Sequence, residues 1–364
     1  MRIMSVMKPT YDITKSYDWN YENGPIFTGK MPERKITRKF FKLWDFELNS
    51  PIGVPAGPLL NSNWIKLYAE LGFDIPVYKT VRSVYRECHP NPNCIYIQRR
   101  DQLTEDEIGA DIVGNFQKPK NWREITITNS FGVPSKNPKE WMADIEKANS
   151  YMGEGQVMIV SINGTPGSGT DIVSDYVRVA EMAKEAGAKI IEANYSCPNV
   201  STGEGSIYSD PEMSAKISRA IKKAIGNVPF MIKLGNFKNP AKLEEVAKAN
   251  APFVDGIAGI NTIKMNVYNE SGEQALPGKG RLGSGLCGNA IHDIAQKFTE
   301  NLAKIKRDNN FDFIICGVGG ITDADGFAER LEGGADIAMS ATAAMWNPLL
   351  ASEFHEKFGD KFNK

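Results

Sequence analysis

The segment Glu192-Ala-Asn-Tyr-Ser-Cys-Pro-Asn-Val200 places two carboxamides (Asn194, Asn199), a hydroxyl (Ser196) and a thiol (Cys197) in a turn fixed by Pro198. Carboxamides offer donors and acceptors, so two aimed at one point read the imide or carboxylate edge of a small planar ligand. A thiol beside them accepts a proton where its surroundings lower its pKa. Spacing alone leaves a second reading equally open, a structural cysteine in a strand-to-loop turn, because buried free cysteine is common. The runs Val77-Tyr-Lys-Thr80, Asn129-Ser-Phe-Gly132, Ile232-Lys-Leu234 and Asn261-Thr262 add two lysines and two further amides. Each has a plain alternative: Asn at a strand end is often a turn former, and a lone Lys at such a place is usually solvated. Gly317-Val-Gly-Gly-Ile321 has the glycines that let backbone N–H groups approach phosphate oxygens, though many such turns are only tight loops.

The elements that must hold these groups alternate. Short β-rich runs are predicted at Ile52–Ala56, Pro76–Val81, Val157–Ile162, Lys189–Asn194, Phe230–Leu234, Val254–Ile260, Phe313–Cys316 and Ile337–Ser340. Helical patterns lie between them, at Asp171–Ala186, Pro211–Ile225, Pro240–Asn250, Ala290–Arg307 and Asp323–Glu332. Lys184-Glu-Ala-Gly187 and Leu331-Glu-Gly-Gly334 end in glycine, as left-handed helix caps do. Eight strands with helices between them fit a closed (β/α)8 TIM barrel better than an open sheet. The chain divides into an N-terminal extension, 1–45, and a barrel domain, 46–364. Stretches 82–156 and 264–289 interrupt the repeat and are expected as inserted loops at the C-terminal face, where barrel loops carry chemistry.

Bulk composition removes several function classes. Lys plus Arg number 43 against 44 Asp plus Glu, so nothing global attracts nucleic acid or an anionic membrane. The five cysteines (Cys88, Cys94, Cys197, Cys287, Cys316) are odd in number and form no C-x-x-C pair, which argues against a disulfide framework and for a reducing compartment. Three histidines without H-x-x-x-H or H-E-x-x-H make a metal site improbable. No run of about 18 apolar residues occurs and the N-terminus lacks a signal-peptide core, so a cytoplasmic protein is expected.

Taken together, these motifs resemble the soluble, cysteine-base dihydroorotate dehydrogenases (class 1), whose signature is N-x-S-C-P-N. Five elements match in register over about 290 residues. The resemblance implies FMN, and a reaction in which Cys197 removes the C5 proton of dihydroorotate while hydride passes from C6 to flavin N5. It implies that Lys79 touches flavin and substrate, and that Asn129, Gly132, Asn194, Asn199, Asn261 and Thr262 bind the pyrimidine. It implies flavin contacts at Ala56, Gly57, Lys79, Thr80, Asn163, Asn194, Lys233, Ile260, Gly288, Gly319, Gly320, Ala341 and Thr342. A segment near 200–210 is expected to close over the site. Partners implied are dihydroorotate, a small-molecule electron acceptor and a second copy of the chain.

The chain departs from the family pattern in three places: Phe131 stands for the usual Met, Thr262 for Ser, and Ala341 for Gly. The last puts the phosphate loop in doubt if that position needs a positive φ. Two other readings stay open. One is a uracil- or thymine-type dihydropyrimidine dehydrogenase, whose loop usually reads S-C-P-H rather than S-C-P-N. The other is a flavin barrel kept as a non-catalytic subunit.

Overall fold

In the computed structural model, which describes residues 8–33, 39–196 and 207–363, eight parallel strands close into a barrel. They are β1 (Ile52–Val54), β2 (Ile75–Val81), β3 (Ile159–Ile162), β4 (Ile190–Asn194), β5 (Phe230–Leu234), β6 (Gly256–Gly259), β7 (Ile314–Val318) and β8 (Ile337–Met339). Each pairs with the next in chain order, and β8 returns to β1 with Ala338 opposite Ile52. Strands β2 to β5 are buried along their whole length. Near-continuous apolar runs are what a strand needs when helices cover one face and the barrel interior the other. The predicted strands fall on these eight with ends shifted by at most two residues. β1 stops at Val54 because Pro55 has no N–H with which to continue the ladder.

Helices follow the strands on the outside. Pro211–Ile225 and Pro240–Asn250 begin at the predicted residues because Asp210 and Asn239 cap their first free N–H groups and proline occupies the first helical position. Gly187 (φ 85°) and Gly334 (φ 107°) take the left-handed conformation expected after two other helices. Helices Ser62–Glu70, Pro138–Asn149 and Leu350–Phe358, which sequence patterning did not single out, complete the outer ring. Among the described residues, no helix is long and apolar enough to cross a membrane.

Two features go beyond the simple repeat. A hairpin, Phe41–Leu43 with Phe46–Leu48, joins Phe41, Leu43 and Leu48 to the lower barrel interior (Ile75, Val77, Ile159, Ile190, Met231), closing the barrel from below. At the other end, the stretches expected as inserted loops carry strands of their own. Cys94–Ile97, Asp111–Asn115 and Thr126–Asn129 from the first stretch pair with Ile263–Tyr268 and Gly283–Gly288 from the second in a five-stranded closed sheet. Buried Arg281 binds the stretches together, donating to the carbonyls of Pro90, Pro92, Pro277 and Ser130. The N-terminal segment is tied down too. The Thr10 N–H donates to the Met345 carbonyl at 2.9 Å, and its hydroxyl lies 2.7 Å from the Tyr68 hydroxyl.

Candidate active site

The inward faces of the barrel strands change character part-way up. With a period of two, β2 presents Ile75, Val77 and then Lys79; β3 presents Ile159 and Ser161; β4 presents Ile190, Glu192 and Asn194; β5 presents Met231 and Lys233. The lower members belong to the apolar core. The upper members form the floor of a cavity of about 1390 Å³, its open mouth included. The remaining strand ends complete the rim: Ala56 and Gly57 after β1, Ile260, Asn261 and Thr262 after β6, Gly319 and Gly320 after β7, Ala341 and Thr342 after β8. This is the face on which barrels of this kind build active sites.

The floor is held by short polar contacts. Lys79 is 7 % exposed; its ammonium donates to the Pro134 carbonyl and, at 3.2 Å, to the Thr80 carbonyl. The same ammonium lies 5.4 Å above the Tyr17 ring. Burial, with repulsion from Arg82 and Lys136, lowers its pKa to about 7. Asn261 donates to the Asn194 side-chain oxygen at 3.1 Å and to the Ser196 carbonyl, so two of the predicted amides meet each other. The Thr262 hydroxyl oxygen is buried without a partner. A buried polar atom left in this way is costly unless a ligand satisfies it.

The outer wall comes from elsewhere in the chain. The second barrel brings Asn129, Cys287 and Gly288; the N-terminal segment brings Tyr11, Ile13 and Tyr17; the chain after β8 brings Met345 and Trp346. Phe131 meets Tyr11 edge-on at 5.9 Å and Tyr17 at 6.2 Å, so the aromatic at this position anchors the N-terminal segment. Asn129 Nδ2 is 3.4 Å from the Cys287 sulfur. Burial pushes that thiol up to about 11, which keeps it protonated and inert at neutral pH.

Of the described residues expected at the site, two do not line the cavity. Asn163 is buried and donates to the neighbouring Gly164 carbonyl at 2.6 Å. Gly132 (φ 79°) lets the backbone pass the His89 ring, which a Cβ there would meet at 2.4 Å. Cys197 and Asn199, with most of the segment expected to close over the site, lie outside the described residues. Ala341 has φ −99°, so the loop after β8 asks for no positive φ and the Gly-to-Ala departure carries no strain. Sequence reasoning passed over Ser161, Glu192 and the N-terminal aromatics. Glu192 was open to discovery, since it stands two residues before Asn194 on a strand and so shares its face. Tyr11 and Tyr17 gave no local signal.

The family model described as dihydroorotate dehydrogenase matches residues 40–361. The chain belongs to the dihydroorotate dehydrogenase family. Members of this flavin-dependent family are oxidoreductases acting on a CH–CH bond. A Dictyostelium discoideum protein named dihydroorotate dehydrogenase is 43% identical over 361 residues, covering 96% of this chain and 97% of that protein. That share necessarily takes in part of the N-terminal segment which the family model leaves out. A Bacillus pumilus protein named dihydroorotate dehydrogenase B (NAD(+)), catalytic subunit, is 34% identical over 51% of this chain and 57% of its own length. A Limosilactobacillus reuteri protein named dihydroorotate dehydrogenase A (fumarate) is 30% identical over 48% of this chain and 54% of its own length.

Proposed function

We propose that this protein oxidises dihydroorotate to orotate in pyrimidine biosynthesis, using FMN and Cys197. The observation that carries the reading is the convergence of Lys79, Asn194, Lys233 and Asn261 from three strands and a strand-end loop into one cavity of a dihydroorotate dehydrogenase barrel. The cavity suits FMN in three respects. Its floor offers two ammonium groups to a ring that gains negative charge. Its rim has Gly288, Gly319 and Gly320 at positive φ, so the backbone there carries no side chain that would keep its N–H groups from a phosphate. Its Thr262 hydroxyl awaits a partner. Bound FMN supplies the hydride acceptor.

The chain's own residues supply position and proton transfer. Asn129, Asn194, Asn199 and Asn261, with Thr262, orient the pyrimidine so that the hydrogens leaving C5 and C6 are aligned. Cys197 takes the C5 proton. Lys79 and Lys233 stabilise negative charge at the floor. Ala56, Gly57, Thr80, Ile260, Ala341 and Thr342 complete the flavin contacts. We assign residues 1–45 as an extension of a single catalytic barrel. We further assign the protein to the cytoplasm as a homodimer that passes electrons to a small-molecule acceptor.

The test is anaerobic bleaching of the flavin absorbance, with dihydroorotate in one cuvette and dihydrouracil in another. Bleaching by dihydroorotate that disappears in Cys197→Ala supports both the substrate and the base. Bleaching by dihydrouracil alone moves the protein to the pyrimidine-degrading reaction. A colourless protein inert after FMN is added removes the catalytic reading.

A further inference from the structure

Glu192 is the only carboxyl among the described residues that line the cavity. It is 1 % exposed and points inward from β4, one step below Asn194. The Ser161 hydroxyl draws its pKa down, and the Thr80 hydroxyl lies 3.0 Å from that of Ser161. Its Oε1 has no partner. The inward residues below and beside it, Ile190 and Met231, are apolar, so the barrel interior needs no charge for packing. A buried carboxyl with an unsatisfied oxygen is costly, a cost that is understandable where a cation and a ligand share the site.

The cation is Lys233. The β4–β5 register sets Lys233 beside Asn194 and Met231 beside Glu192, so Glu192 and Lys233 are diagonal neighbours on one face. Diagonal neighbours lie within reach of long side chains. Burial raises the Glu192 pKa, while the Lys233 charge and the Ser161 hydroxyl pull it back down. The same carboxyl acts on the Cys316 thiol of β7, which burial first and Glu192 second push upward.

We propose that Glu192 is a positioning residue whose carboxylate is the counter-charge of Lys233, holding that ammonium at the cavity floor and offsetting part of the positive charge offered to FMN. The proposal rests on FMN occupying the cavity as proposed above. With the carboxylate present, the floor favours the reduced, more negative flavin less strongly than two free ammonium groups would. Removing the charge without changing the shape must therefore raise the reduction potential of bound FMN.

The experiment compares bound-flavin potentials in the holoenzyme, Glu192→Gln, Lys233→Met and the double variant. Glu192→Gln should bind reduced FMN about tenfold better relative to oxidised FMN, a rise of about 30 mV for a two-electron couple. In the Lys233→Met background the same substitution should shift the ratio by much less. A merely structural Glu192 would lower the unfolding midpoint or the FMN content and leave the potential in place. An unchanged potential in Glu192→Gln, or an equal shift in both backgrounds, overturns the proposal.

If Glu192→Gln does not fold, the unmutated holoenzyme still decides. Its reduced-minus-oxidised infrared spectrum should contain a displaced carboxylate band, and a protonated-carboxyl band alone overturns the assignment. If wild-type protein neither holds FMN nor is bleached by dihydroorotate, the functional reading falls and this inference with it. A wild type that does both, with an unmoved Glu192→Gln, sinks only the inference.

Discussion

The floor of the cavity is built from charged and amide side chains fixed on β2, β4 and β5, whereas its outer wall is built from aromatic and apolar side chains of segments far apart in the chain. Lys79, Glu192, Asn194 and Lys233 stand on strands whose positions the whole barrel determines. Tyr11, Tyr17, Phe131 and Trp346 stand on an N-terminal segment, a loop and a helix that only tertiary packing brings to one wall. The floor buries charge at a cost to stability and supplies chemistry; the wall buries aromatic area and supplies stability and shape. Substitutions in the floor should therefore act on the reaction, and substitutions in the wall on folding and substrate affinity.

The largest expected effect tests the floor. Lys233→Met should slow flavin reduction by dihydroorotate by roughly 10²–10³-fold, the usual loss when one electrostatic contact to developing charge is removed. Its thermal midpoint should fall because Glu192 is left buried without its counter-charge, and Glu192→Gln added to it should restore the midpoint. Stopped-flow reduction and a melting curve on the same sample measure both. A large fall in midpoint with a modest rate effect would erase the division between floor and wall.

Next in size is Arg281→Met, behind the wall. The guanidinium serves four carbonyls, those of Pro90 and Pro92 in one stretch, of Pro277 in another, and of Ser130, which follows Asn129. Leaving them without donors should cost about 3 kcal/mol or more in denaturant unfolding. KM should rise more than kcat falls, because Asn129 adjoins Ser130, which Arg281 holds. An unaltered unfolding midpoint would mean that the second barrel is held by its strands alone.

The same contrast explains what the sequence disclosed. The eight strands and the residues at their C-terminal ends were legible because β-rich runs alternate with helices and because strand-end Lys and Asn are conspicuous. The helices starting at Pro211 and Pro240 were legible to the residue because their caps are local. The second barrel was not legible, since its five short strands come from stretches more than 100 residues apart and pair only with each other. The Gly-rich run Gly283-Ser-Gly-Leu-Cys-Gly288 reads as a loop and is a strand because Thr126–Asn129 and Ile263–Tyr268 flank it. Tyr11 and Tyr17 were invisible as site residues for the same reason: nothing local says which distant surface an aromatic side chain will meet.

A third prediction uses the charge of the floor. In protein stripped of FMN, folded Lys79 releases its proton near pH 7 through burial, while an unfolded lysine holds it to about 10.4. Between these values the unfolded state binds more protons, so this group makes stability rise with pH, by at most about 1.4 kcal/mol per unit. The penalty is fully present below about pH 7 and absent above the unfolded value. The unfolding free energy of wild type minus that of Lys79→Met should climb through this window and lie flat below it. A difference that is level from pH 6 to 10 would show that Lys79 keeps its charge on the floor.

The smallest effect concerns the contact that joins the two regions. The Lys79 ammonium, a floor group, lies 5.4 Å above the ring of Tyr17, a wall group. A desolvated cation over an aromatic face gains about 1–2 kcal/mol, and the gain exists only while the amine is charged. Tyr17→Leu removes it and leaves the buried amine with the Thr80 and Pro134 carbonyls. The Lys79 proton should then leave at lower pH, so the rise in stability described above should begin earlier. Lys79→Met made on top of Tyr17→Leu should show the non-additivity of a contacting pair when unfolding is measured below pH 7, and additivity well above it. Coupling that persists unchanged at high pH would assign the pair to packing rather than charge, and would place Lys79 with the wall.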